Sequence, residues 1–207
     1  EANLRNAAAI KPDQAQIHYN LGKALKAQDK LASAVESLKT ACRLEPENAA
    51  FHNDLCNALV AIGQPRDALA HIQRATNLAP ETPNYHYNQG NVLGYLGIQD
   101  QAVAAFRQAV ALNHEFRAAR IALGDALMGA GRLDEALSIY EPLLQANPED
   151  PGALVGTAAV MDKRGQFKEA GKLLEPLLSR RPMPSWISAS ICTSSGIFSS
   201  LSSKLDS

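Results

Sequence analysis

A pattern returns every 34 residues, without a gap, from Ala15 to Pro184. With units beginning at Ala15, Ala49, Pro83, Arg117 and Pro151, the same residue types fall in the same columns. The seventh and eighth positions read Leu21-Gly22, Leu55-Cys56, Gln89-Gly90, Leu123-Gly124 and Thr157-Ala158. The twentieth is Ala34, Ala68, Ala102, Ala136 and Ala170; the thirty-second is Pro46, Pro80, His114, Pro148 and Pro182. A fixed period of this length belongs to arrays of one supersecondary unit that buries its apolar face only against its neighbours. Such arrays are extended, and what they offer is a long binding surface.

Each unit reads as two helices. In the second, Leu55, Leu59 and Ile62 fall at helical spacing, and Gly63 supplies the left-handed residue of a helix end. Pro65 opens the next helix, where its missing N–H costs little, and Ala68, Leu69, Ile72 and Ala75 carry the apolar stripe to Leu78. Pro80 then stops it. Gly97, Gly131 and Gly165 repeat the turn, and Asp29 takes the glycine's place in the first unit. The pattern predicts helices near 16–28, 31–44, 50–62, 65–78, 84–96, 99–112, 118–130, 133–146, 152–164 and 167–180. Small residues at positions eight and twenty let the paired helices approach closely.

These columns resemble the tetratricopeptide repeat family. The resemblance implies an all-α, right-handed αα superhelix of antiparallel helix pairs. Five repeats cover 15–48, 49–82, 83–116, 117–150 and 151–184, and residues 1–14 match the second helix of a truncated repeat. A half-repeat at the amino end is expected of a segment of a longer array. The serine-rich stretch 185–207 reads either as a capping helix, with Ile187, Ile191, Phe198 and Leu201 at helical spacing, or as a tail of no evolved role. The family's tryptophan at position four is replaced by His18, His52, His86, Arg120 and Leu154. Pro142 and Pro176 fall inside second helices and are expected to bend them.

A net charge of −1 lacks the basic excess of a nucleic-acid binder, and no apolar run reaches membrane-spanning length. Cys42, Cys56 and Cys192 form no CxxC pair, so reduced thiols are expected. That favours the cytoplasm, with a bacterial periplasm left open. No catalytic constellation is found: Gly90, Gly94 and Gly97 are spaced GxxxGxxG and follow no strand, and no GxSxG elbow occurs. No cofactor is implied. His18, His52 and His86 recur at the repeat period, but neighbouring helices lie about 8–10 Å apart, too far for three equivalent positions to share one ion. Packing is the reading for that column.

Positions seven, eight and eleven of each first helix point at its partner helix, leaving positions two, five, six, nine, twelve and thirteen on the opposite face. In the tetratricopeptide family that face lines a concave groove for peptides or partner helices. Here it carries Gln16, Tyr19, Asn20, Lys23 and Lys26, then Asn53, Asp54 and Asn57. Asn84, Tyr87, Asn88, Asn91 and Tyr95 follow from the third repeat, and Asp125 from the fourth. An asparagine amide both donates and accepts, so it can pair with a peptide backbone whatever its sequence. Tyrosines add flat contact area at low entropic cost. Asn20 and Asn88 share position six, where Asp54 and Ala122 interrupt the row. Tyr19 stands where the family's dicarboxylate clamps carry lysine, which disfavours recognition of an acidic C-terminal tail. The expected function is a non-enzymatic scaffold for a protein or peptide. The alternative is the recognition arm of a glycosyltransferase or sulfotransferase; self-association through exposed repeat ends is a third reading.

Overall fold

The computed structural model describes residues 2–178; the stretch 185–207 with its capping-helix reading, Pro182 and Cys192 lie outside them. The described residues form eleven α-helices and no strand. They divide into two compact bodies, one up to Glu115 and one from Phe116 onward. The first body holds α1 (Ala2–Ile10), α2 (Ala15–Ala27), α3 (Leu31–Leu44), α4 (Ala49–Ala61), α5 (Pro65–Leu78), α6 (Pro83–Tyr95) and α7 (Gln99–Leu112). The second holds α8 (Arg117–Gly129), α9 (Leu133–Ala146), α10 (Pro151–Lys163) and α11 (Phe167–Leu178). From α2 onward the helices start within a residue of where the periodicity places them.

One turn geometry joins every pair. Asp29, Gly63, Gly97, Gly131 and Gly165 all take φ between 58 and 77°. The next N–H reaches back to the carbonyl five residues before it, as Lys30 does to Leu25 and Gln64 to Leu59. The N–H of the left-handed residue bonds the carbonyl three before it, as Gly63 does to Val60. Together these bonds satisfy carbonyls that a helix end would otherwise leave open. Aspartate is one of the few side chains that tolerates this conformation, which accounts for Asp29.

The core is built from the columns. Ala34, Ala68, Ala102, Ala136 and Ala170 are all fully buried. Across from position eight sits position twenty-four, whose large side chain fills the space left by a small one. A Cβ on Gly22 would lie 2.6 Å from Leu38, on Gly90 2.5 Å from the Phe106 ring, and on Gly124 2.5 Å from the Tyr140 ring. Tyr140 also lies over Gly156. The aromatic rings therefore stand only where glycine faces them. Where position eight keeps a Cβ, as in Cys56 and Ala158, the side chains at position twenty-four are Ile72 and Leu174, within the same apolar clusters.

α9 runs unbroken through Pro142. The ring removes the N–H that would bond the Ser138 carbonyl, so the proline weakens one turn without ending the helix.

Candidate functional site

In the first body the sequence-derived face is distributed over three first helices, α2, α4 and α6. Gln16, Asn20, Lys23 and Lys26 are exposed on α2, with Tyr19 half-buried among them. Asn53, Asp54 and Asn57 on α4 are half-buried. On α6, Asn84, Asn91 and Tyr95 are exposed while Tyr87 and Asn88 are half-buried.

Side chains at positions five and six of successive repeats zip these helices together. The Tyr19 hydroxyl donates to Asp54 Oδ2 at 2.7 Å, and Asn53 Nδ2 donates to Asp54 Oδ1 at 3.2 Å. Asn88 Nδ2 in turn donates to Asn53 Oδ1 at 2.7 Å. Both inter-repeat bonds join residues 35 apart, so one geometry is used twice. The row therefore runs diagonally, from position five of one repeat to position six of the next. Asp54, which breaks the asparagine row in sequence, is the acceptor that anchors it.

The Tyr19 ring stacks on Phe51, with centroids 4.6 Å apart, and Lys23 Nζ lies over the Tyr19 ring, 5.2 Å from its centroid. Burial, followed by the Asp54 carboxylate, pushes the Tyr19 phenol above its ordinary range, so it stays a donor. The same two causes, in the same order, raise Tyr85. On α6 the Tyr87 ring leans on Phe106 at 5.8 Å. At the outer end, Gln16 Nε2 donates to Asn20 Oδ1 at 3.1 Å. Asn57, Asn84 and Asn91 have no side-chain hydrogen bond among the described residues.

Asp125 belongs to the second body and has a different occupation. Its Oδ1 accepts from the Tyr140 hydroxyl at 2.6 Å. Water reaches the residue, yet protein atoms surround the carboxylate closely enough that desolvation raises its pKa. Tyr140 is fully buried, and burial followed by Asp125 raises its phenol as well. In the same body Arg117 grips Asp150 bidentately, Nε to Oδ2 at 2.5 Å and Nη2 to Oδ1 at 2.6 Å. Asp150 Oδ1 also accepts from the Ala153 N–H at 2.9 Å, capping α10. The arginine holds this carboxyl below the usual range.

The periodic histidines are loop clasps. His18 Nε2 lies 2.9 Å from the Pro12 carbonyl, His52 Nε2 3.0 Å from that of Pro46, and His86 Nε2 2.7 Å from that of Pro80. A carbonyl only accepts, so each Nε2 carries the proton. Each ring pins the connection that precedes its own helix. Cys42 and Cys56 are buried free thiols, both pushed up to about 12 by desolvation. Sequence reasoning did not single out Phe51 and Phe106, the rings beneath Tyr19 and Tyr87.

Antiparallel helix pairs repeated at one fixed length define a helical-repeat protein. A family model described as tetratricopeptide repeat matches residues 25–90 and 127–189, and a second model of the same description matches 89–151. The chain belongs to the tetratricopeptide repeat family. Among solved structures it is similar to MamA, at 22% identity over 78% of this chain and 88% of that one, with a TM-score of 0.70. It is also similar to YrrB, described as having an unusual peptide-binding site, at 21% identity over 92% and 97% with a TM-score of 0.71. A thermophilic tetratricopeptide protein of Thermus thermophilus is 27% identical over 76% and 87%, with a TM-score of 0.59. A search of curated proteins gave no match. No helix among the described residues is long and apolar enough to cross a membrane.

Proposed function

We propose that the chain is a non-enzymatic interaction scaffold whose α2–α4–α6 face binds an extended segment of a partner protein. Its family and fold support the scaffold reading, and solenoids of this kind present long surfaces to partners. The observation that carries the site is the Tyr19–Asp54–Asn53–Asn88 network. It links three helices in register, and one turn further along α4 and α6 follow Asn57 and Asn91, whose amides remain unspent. A preorganised row of amides saves the ordering cost that binding otherwise incurs. Lys23 and Lys26 supply positive charge at one end and Tyr95, 77% exposed, an aromatic surface at the other.

Asn53 and Asn88 already bond each other, so the informative substitutions are Asn57→Ala and Asn91→Ala. Peptides selected from a random display library on the whole chain would be titrated against wild type and the double variant. Each lost amide contact is worth about 0.5–1.5 kcal/mol, so the double variant binds roughly 5- to 150-fold more weakly with unchanged helicity. Selected peptides that bind both proteins equally would remove this face from the mechanism.

A further inference from the structure

We infer that His52 and His71 form an acid-released latch holding α4 against α5 in the second repeat. The two Nδ1 atoms lie 3.0 Å apart. The ring centroids are 5.3 Å apart with planes 25° from parallel. That separation is close to the nitrogen–nitrogen contact plus the two ring radii, the largest it can be, so the nitrogens point at one another head-on. His52 has its Nε2–H committed to the Pro46 carbonyl, which leaves its Nδ1 as the acceptor in the neutral ring. His71 must then donate from Nδ1 and leave its Nε2 bare. The two nitrogens face each other along one line and not toward a common point off it, as a shared metal ion would require.

The neighbouring repeats show that the pairing is local. His18 and His86 keep the Pro carbonyl clasp, but the residues aligned with His71 are Ser37 and Ala105. Protonation of His18 or His86 leaves an Nε2–H in place and the clasp intact. At His52 the pair accepts one proton with its hydrogen bond preserved, because a charged ring still faces a neutral one across a single proton. A second proton sets N–H against N–H and breaks the contact.

The surroundings work against positive charge here. His52 is 8% exposed, and His71 is lowered by burial first, then by His52 and by Lys39 of α3. Lys39 itself pairs with Glu36, and Asp67, one turn before His71 on α5, opposes the shift. Near the ends of the two helices, Arg74 and Glu47 pair with each other. α4 contributes Asp54, which is held by Tyr19 and Asn53, and α6 carries no Lys, Arg, Asp or Glu. A histidine whose folded pKa is lowered binds fewer protons folded than unfolded, so stability rises with pH. The contribution is complete above the ordinary imidazole value of about 6.5 and is lost as pH falls below it.

The test is long-range 15N imidazole NMR on the whole chain between pH 8 and pH 5. At pH 8 His71 should show the Nδ1–H tautomer and His52 the Nε2–H tautomer, with the pair then titrating in two separated steps. His71 as Nε2–H at pH 8, or both rings titrating at one common midpoint, would overturn the latch. The companion variant is His71→Gln, whose amide can donate to His52 Nδ1 but does not titrate. Wild type should lose up to about tenfold in its folding equilibrium constant per pH unit on the acid side, the one-proton limit. The variant should lose less. Equal acid sensitivity in the two proteins also overturns it.

Discussion

Gly90 and Gly94 stand one turn apart on α6, and the same substitution should move stability in opposite directions at the two. Alanine in a helix interior is favoured over glycine by about 0.5–1 kcal/mol, chiefly because the unfolded chain loses less freedom. At Gly94, in the last turn of α6, a new Cβ meets nothing within 4 Å, so no contact opposes the gain. At Gly90 the Cβ would stand 2.5–2.8 Å from three ring carbons of Phe106. That ring is 4% exposed and has Tyr87 at 5.8 Å, so little space is open for it to retreat into. Overpacking of this kind costs about 1–3 kcal/mol. The propensity gain at Gly90, in the helix interior, is at least that at Gly94 in the last turn, so a lower stability for Gly90→Ala reports the collision.

Gly94→Ala should therefore raise the midpoint by roughly 1–4 °C, while Gly90→Ala lowers or at best holds it. Urea and thermal melts followed by helical circular dichroism give the two values. Repeat arrays need not unfold in one step, so hydrogen exchange of the α6 and α7 amides should accompany the melts. Adding Phe106→Leu to Gly90→Ala should restore part of the loss, with a coupling of about 0.5–3 kcal/mol. The chain itself pairs aliphatic side chains, Ile72 and Leu174, with Cys56 and Ala158. A Gly90→Ala protein as stable as Gly94→Ala would refute the packing argument.

Two other outcomes follow. Asp150→Ala removes the α10 cap, worth about 0.5–2 kcal/mol, and an ion pair with half-exposed Arg117 worth about 0.2–1, so urea melts should show a loss of about 1–3 kcal/mol at neutral pH. Because the Asp150 pKa is lowered on folding, wild type keeps this contribution above the ordinary aspartate value of about 3.9 and loses it below, and the variant's acid transition should lack that component. Pro142→Ala restores a backbone donor inside α9 and should stabilise by up to about 3 kcal/mol in the same melts; a loss would mean that neighbouring residues are fitted to the proline's backbone.

The parts of this fold legible in sequence are those in which one residue type solves one local problem. A left-handed turn admits glycine or aspartate and little else, so Gly63, Gly97, Gly131, Gly165 and even Asp29 marked the turns. Full burial against a crossing helix admits alanine, so column twenty marked the contact. The polar zipper was less legible because it depends on pairs. Periodicity put Asn53, Asp54 and Asn88 on one face, but only the inter-repeat geometry, which joins residues 35 apart, makes Asp54 the anchor and spends the Asn53 amide. A second bond, inside the fourth repeat, commits the Asp125 carboxylate to Tyr140. The histidine clasps fall between these cases. His18, His52 and His86 each follow a proline by six residues, and that joint spacing was present in the sequence. Where His114 replaces the proline, Arg120 replaces the histidine, whereas Pro148 is followed by Leu154. In these repeats histidine at position four therefore occurs only where a proline precedes it by six, which fits a ring that serves the carbonyl there. His71 has no counterpart in that column grammar, since Ser37, Ala105, Ile139 and Leu173 occupy its place elsewhere. A periodic reading passes over such a residue, and for the same reason the latch it forms with His52 is a property of the second repeat and not of the repeat design.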